Sequence, residues 1–443
     1  MQRLARLAVG TVQPCADVTF VVWSLMAALE RAGLRVQSFA ARACFSPHDG
    51  AFAITGQSTR HLDTWLLEPA ACRLLFDRGT SGSNFAIVHG RFDSALLAAE
   101  QAGGKLSTLC DWLDMPSIAV VDGCLLQDCE LPKRPAGVDA VLIDGSRCCS
   151  ERCRLQTWLE ALWGVPVLGF VENAPQLRAE FAALPMGTTP PPSLCKALGE
   201  QVFGPAVLAR IVALAASREP SWRAMTDVPA ISRNRSLRVA MAYDDAFHCY
   251  FPDALDQLEL LGAELIDFSP LRDDRLPLNL DLVFFGCGQP ELFAQQLTGN
   301  CCLISALKRH VESGGRLYAE CGGLAYLGQS IQLPDGECLP MSGILPITSS
   351  IEPLMKPPQA VELSFASDCW LGESGSALRG YRTGRWRIDP LNSSARSLLN
   401  DEQQEFDVLA YHNAIGSRVH LNFAMQPPLL SRMFEPAPAT VQV

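Results

Sequence analysis

Short apolar runs alternate with segments of helical period along the first half of the chain. Strands are predicted over residues 4–9, 34–38, 85–88, 118–122, 138–143 and 165–170, with a helix over 18–31 after the first of them. Most of the runs are dominated by apolar residues, as expected of strands covered on both faces. With helices between them they predict βαβ units and a parallel sheet.

The pattern lapses over residues 217–236, a polar, proline-broken stretch that reads as a linker. A second series then begins, with strands predicted over 237–242, 265–268, 282–285 and 316–319 and helices over 252–261 and 300–313. The expected organisation is two α/β domains, residues 1–216 and 237–443, joined by 217–236. No internal repeat is visible, and the tail beyond Pro427 carries no clear signal for an element.

A chain of 443 residues exceeds one ordinary core, which agrees with two domains. The formal net charge of −11, with no block of Lys and Arg, argues against nucleic acid as a partner. The apolar run over 18–29 is too short for a bilayer and continues into Glu30-Arg31, so neither a signal peptide nor a membrane span is expected. Seventeen cysteines are scattered through apparent strands and helices rather than framing a small disulfide module, which favours reduced thiols and a cytoplasmic location. The densest group, Cys124, Cys129, Cys148, Cys149 and Cys153, lacks paired C-x-x-C spacing, so no metal is expected there.

The segment Gly314-Gly-Arg-Leu-Tyr-Ala-Glu-Cys321-Gly-Gly-Leu-Ala-Tyr-Leu-Gly328 reads as a strand, one sharp turn and a helix, with Cys321 at the turn. The two following glycines relieve steric conflict at such a nucleophile elbow. A thiol there faces a helix N-terminus, whose partial positive charge favours thiolate. An ordinary buried cysteine before a Gly-Gly turn is the bland alternative.

A cysteine nucleophile needs a base, and His420 lies downstream in Ser417-Arg-Val-His-Leu-Asn-Phe423. Strand alternation there places Val419, Leu421 and Phe423 on one side and His420 with Asn422 on the other. His420 is the predicted general base, able to move a proton from the thiol and then to departing ammonia. A histidine held by a core hydrogen bond is the competing reading. For the oxyanion, the strand over 282–285 ends in Gly286-Cys-Gly-Gln-Pro-Glu291, where main-chain N–H groups of Gly286 and Gly288 can approach, joined by that of Gly322.

These residues together resemble the cobyrinic acid a,c-diamide synthases, within the wider group of cobyrinate and cobyrate glutamine amidotransferases. The resemblance covers nearly the whole chain. It is carried by Tyr243-Asp-Asp-Ala-Phe247 with Tyr250-Phe-Pro-Asp253, Gly262-Ala-Glu264, Phe268-Ser-Pro270, Gly286-Cys-Gly-Gln-Pro-Glu-Leu292 and Ala319-Glu-Cys-Gly-Gly323, all in family order. It implies a P-loop NTPase-like domain followed by a flavodoxin-like class I glutaminase domain, with a cysteine–histidine pair at Cys321 and His420. The family's A-S-Y-x-H-x-H-F stands here as Gly416-Ser-Arg-Val-His-Leu-Asn-Phe423, with Asn422 for the second histidine. The run Leu378-Arg-Gly-Tyr-Arg-Thr-Gly384 also departs from the family's G-H-E-F-H-Y-like pattern.

In the first half the scaffold agrees with the family and the nucleotide site does not. The family's phosphate loop is replaced by Val12-Gln-Pro-Cys-Ala-Asp17-Val-Thr19, which puts Asp17 at the lysine position and Pro14 and Ala16 at two glycines. His89, in Val88-His-Gly-Arg-Phe92, stands where an acidic magnesium partner is expected. The family implies ATP and Mg2+ as cofactors, and their site looks lost here.

The leading expectation is a glutaminase that supplies ammonia for amidation of a tetrapyrrole carboxylate. The alternatives are a pseudo-synthetase that binds a ligand or protein, and a subunit feeding ammonia to an ATP-competent paralogue. Expected partners are glutamine and a tetrapyrrole-type acceptor, with a homodimer or such a paralogue as the protein partner and no membrane.

Overall fold

The computed structural model of the protein describes residues 4–13, 17–46, 48–92, 104–127, 133–145, 149–185, 187–222, 236–399 and 406–435. The chain divides into two compact units, residues 1–228 and 229–443.

The first unit is built on seven strands: β1 (Ala5–Thr11), β2 (Val36–Ala40), β3 (Arg60–His61), β4 (Phe85–Arg91), β5 (Ser117–Asp122), β6 (Ala140–Asp144) and β7 (Val167–Phe170). They pair in the order β3-β2-β4-β1-β5-β6-β7, every pair parallel. From β1 the chain winds out to β2 and β3 on one side and, after β4 fills the place beside β1, to β5, β6 and β7 on the other, which makes this a doubly wound sheet with its switch point beside β1. The helix Thr19–Arg31 follows β1 and is buried continuously from Phe20 to Leu29. Its Ala27 backbone leaves no room for a side chain on Gly199, where a Cβ would lie 2.9 Å from it.

In the second unit β8 (Leu237–Ala242), β10 (Ala263–Phe268), β11 (Leu282–Phe285), β13 (Arg316–Glu320), β18 (Arg396–Ser397), β19 (Val408–Tyr411) and β20 (Ala414–Ser417) form a sheet ordered β10-β8-β11-β13-β20-β19-β18. Its first five strands are parallel, and β19 and β18 extend one edge antiparallel. A short ribbon pairs β9 (Phe247–Cys249) with β12 (Cys287–Gly288).

A further sheet, ordered β15-β14-β16-β17-β21, consists of β14 (Ser330–Gln332), β15 (Cys338–Pro340), β16 (Ile347–Ser364), β17 (Ala377–Pro390) and β21 (Val419–His420). The α/β class and both parallel series follow the expectation. The long β16–β17 hairpin does not appear in the predicted elements, and neither does the helix Pro427–Met433. The tail therefore needs correction: Leu429, Leu430 and Met433 are buried there, and proline at its first positions starts the helix.

Among the described residues no single helix is long and apolar enough to cross a membrane.

Candidate active site

Cys321 follows directly on β13, at the carboxyl end of a central parallel strand, where open α/β sheets bind ligands. It has φ 47° and ψ −105°, and the helix Gly322–Leu327 begins at the next residue. The strain of the elbow therefore sits on the cysteine itself. The two glycines, neither of which has a positive φ, relieve steric conflict as expected. Their function is close approach. A Cβ on Gly322 would lie 2.2 Å from the Gly288 carbonyl oxygen, and one on Gly323 would lie 2.7 Å from that of Gly286. The helix can thus pack backbone to backbone against the turn after β11.

Of the three predicted oxyanion donors, Gly288 and Gly322 come together. A Cβ on Gly322 would also lie 2.9 Å from the Gly288 nitrogen. Gly286 is corrected: its N–H is already donated to the Tyr250 hydroxyl at 2.9 Å, and that hydroxyl donates to the Ala242 carbonyl at 2.5 Å. Gly286 contributes shape, because a side chain there would meet the Cys249 carbonyl and the Tyr250 ring. The far end of the turn is tied to β17 by an Arg385–Glu291 ion pair.

His420 arrives from the other sheet. The chain leaves the central sheet at Ser417, crosses at Arg418 and joins β17 at Val419, with Tyr381 opposite His420. Ser417 Oγ braces the crossing, donating to the Val419 carbonyl at 2.7 Å and accepting from its N–H at 3.1 Å. Arg418 is held through Nε and a terminal nitrogen on Asp407 Oδ1, at 3.1 and 2.9 Å, while Arg382 grips the same fully buried carboxylate. The Arg418 carbonyl accepts from Cys321 Sγ at 3.7 Å.

The predicted alternation does not continue past His420. Asn422 turns the chain, accepting from the Ala424 N–H at 3.1 Å, and Val419 to Phe423 are all buried. Gly380 on β17 gives the histidine its room, since a Cβ there would lie 2.4 Å from the His420 carbonyl oxygen.

The Cys321 sulfur, a ring nitrogen of His420 and the Cys287 sulfur lie within 4.8 Å of one another, all buried. Burial pushes the Cys321 thiol up, but the Cys287 hydrogen bond and the His420 charge and hydrogen bond outweigh it and bring the pKa down to about 6. For His420 burial acts downward, and the Cys321 thiolate, with the Glu320 carboxylate, more than reverses it, so its pKa is raised. Both shifts favour the thiolate–imidazolium form of the pair.

Glu320, the last residue of β13, was not among the predicted site residues. Its Oε1 accepts from the Tyr318 hydroxyl at 2.7 Å and the Leu421 N–H at 3.2 Å, and Cys287 Sγ lies 3.9 Å from Oε2. Burial, with the neighbouring Cys321, raises its pKa to about 8. A lone acidic residue at the end of the strand, one position before the predicted nucleophile, was the available signal.

In the first unit, Asp17 Oδ1 accepts from the Thr19 N–H at 2.9 Å and the Thr19 hydroxyl at 2.6 Å, at the start of the helix Thr19–Arg31. Gln13 bridges to the Asp122 backbone, accepting at 2.7 Å and donating at 3.0 Å. Burial lowers the His89 pKa to about 4, against the pull of Asp17. Pro14 and Ala16 lie outside the described residues, as do Cys129, Cys148 and the Cys149 side chain. Cys124 donates to the Gly145 carbonyl, and Cys153 is exposed.

Comparison with known proteins gives this geometry a family. Residues 238–428 match the CobB/CobQ-like glutamine amidotransferase domain. A cobyrinate a,c-diamide synthase of Syntrophotalea carbinolica is 32% identical over 393 residues, covering 85% of this chain and 84% of that protein. Those of Synechocystis sp. and Listeria monocytogenes serovar 1/2a are 29% and 27% identical, covering 93% and 94% of this chain and 89% and 96% of theirs. With similarity running through both halves of the sequence, the chain belongs to the cobyrinate a,c-diamide synthase family of glutamine amidotransferases.

Proposed function

We propose that residues 237–443 form a glutaminase in which Cys321 is the nucleophile and His420 the general acid and base, and that its ammonia amidates a carboxylate of a cobyrinate-like tetrapyrrole. The observation that carries this reading is the strained Cys321 at a strand end with the His420 ring beside it.

The Cys321 thiolate adds to the side-chain amide carbon of glutamine, and the N–H groups of Gly288 and Gly322 receive the oxyanion. His420 gives its proton to the amide nitrogen as the carbon–nitrogen bond breaks, which releases ammonia and leaves a thioester. It then takes a proton from water, which attacks the thioester. Glutamate departs, and the thiolate–imidazolium pair is restored.

The family couples ammonia to an ATP-activated carboxylate, and one observation favours a different arrangement here. The residues of the first unit do not fit a magnesium–nucleotide complex. A phosphate loop aims free N–H groups and a lysine at phosphate. Here the Asp17 carboxylate takes the Thr19 donors at that helix N-terminus, and a neutral His89 is a poor substitute for an oxygen ligand to magnesium. We therefore assign residues 1–216 as a synthetase-like unit without carboxylate activation of its own, joined through 217–236, and place the protein in the cytoplasm beside an ATP-competent partner. Glutaminase assays with and without ATP, candidate tetrapyrroles and such a paralogue, read by product mass spectrometry, test both halves. Amidated product from this chain alone with ATP would return it to the complete synthetases, and absence of glutamine hydrolysis under every condition would remove the glutaminase reading.

A further inference from the structure

Cys287 hydrogen-bonds to Cys321 and helps hold its thiolate, but it forms and breaks no bond in the reaction proposed above. The turn it belongs to is needed for backbone approach, which Gly286 and Gly288 provide, so the side chain between them is unconstrained by that role. Yet it is a thiol, buried, and aimed at the nucleophile.

Resting on the glutaminase reading, we propose that Cys287, Cys321 and His420 form a binding site for one thiophilic divalent cation of the zinc class, and that occupancy switches the glutaminase off. Two sulfurs and an imidazole nitrogen form a donor set that favours zinc over magnesium or calcium. In a tetrahedral site with Zn–S about 2.3 Å and Zn–N about 2.0 Å, neighbouring donor atoms are roughly 3.5–3.8 Å apart. The three atoms here already lie within 4.8 Å of one another. Closing around an ion therefore asks for movements of about 1 Å at most, within reach of side-chain rotation. The three residues come from three places in the fold: β12, the elbow after β13, and β21. Among the described residues no other group of histidine, cysteine and carboxylate side chains converges in this way.

Binding is not redox. The Cys287 thiol releases its proton and the Cys321–His420 pair releases the one it shares, so two protons leave as one cation enters. The fourth position stays open to water. The bound cation takes the Cys321 lone pair that would attack glutamine, which makes inhibition competitive with thiol alkylation.

Cobalt(II) tests this, because four-coordinate thiolate ligation gives a near-ultraviolet charge-transfer band whose intensity counts thiolates. The full chain, stripped with chelator, should take up one equivalent with two-thiolate intensity, and zinc should displace it. Cys287→Ser should halve the intensity per cobalt and weaken zinc binding by at least about a hundredfold, since even outer-shell partners are worth about 10–100-fold. Cys287→Ala should do the same, and circular dichroism checks that both variants fold. Unchanged cobalt spectra and zinc affinity in both variants, or no zinc binding below millimolar in wild type, would overturn the proposal. Ammonia release in chelator is read separately: its loss with an intact cobalt spectrum counts against the glutaminase reading alone.

Discussion

Replacing Gly322 by alanine puts the backbone contact at the centre of the elbow to the test. The added Cβ would lie 2.2 Å from the Gly288 oxygen and 2.7 Å from its carbonyl carbon, against the 3.4 Å at which ordinary contact begins. Neither partner is a flexible side chain, so the turn after β11 must retreat by about 1 Å, and overpacking of this kind costs roughly 1–3 kcal/mol of stability. Catalysis should lose more. An oxyanion donor works at about 2.7–3.1 Å, so a retreat of about 1 Å takes the Gly288 N–H out of range, and one lost donor costs about 10²–10³ in kcat. The control is Gly299→Ala, at a helix end with nothing within 4 Å of the new Cβ. The assay is steady-state ammonia release from glutamine, with melting temperature in parallel. A Gly322→Ala protein that turns over within about threefold of wild type, a barrier change of only about 0.7 kcal/mol, would refute the reasoning that this contact positions the donors.

Cys321→Ala should abolish ammonia release, and His420→Ala should lower kcat by about a hundredfold or more, while His412→Ala changes it little. The reverse ranking of the two histidines would mean that β21 does not carry the base. The thiolate is lost as pH falls through about 6, so kcat/KM for glutamine should rise across that value, and it should fall on the alkaline side as His420 gives up its proton. A profile that instead begins to rise near the ordinary thiol value, about 8.5, would count against the paired state. Isothermal titration with magnesium–ATP should show no binding below millimolar concentrations. Micromolar affinity unchanged by Asp17→Ala would point to contacts other than the altered loop.

Much of the scaffold could be read in advance because both central sheets are parallel, and their strands must be apolar on both faces. Leu237–Ala242 and Leu282–Phe285 were legible to the residue for that reason. The β16–β17 hairpin was not, because its strands carry polar and apolar residues irregularly and its pairing shifts register near Lys356. Cys321 and His420 stood out as a nucleophile type at an elbow and a histidine in a family motif. Glu320 and Cys287 did not, because a buried carboxylate and a thiol acquire meaning only from neighbours distant in sequence. Gly322 and Gly323 were legible as relief of steric conflict, but not the turn that they make room for. A sequence shows that a side chain is missing without showing what fills the space.

The crossing at Arg418 gives the pair an unusual mechanical basis. One residue separates the sheet that carries Cys321 from the sheet that carries His420, and Asp407 grips the guanidinium of that residue. The alignment of the two side chains is therefore set by a contact that lies outside both of them. Asp407 also holds Arg382 of β17, so the spacing of thiol and imidazole depends on one buried carboxylate that neither of them touches.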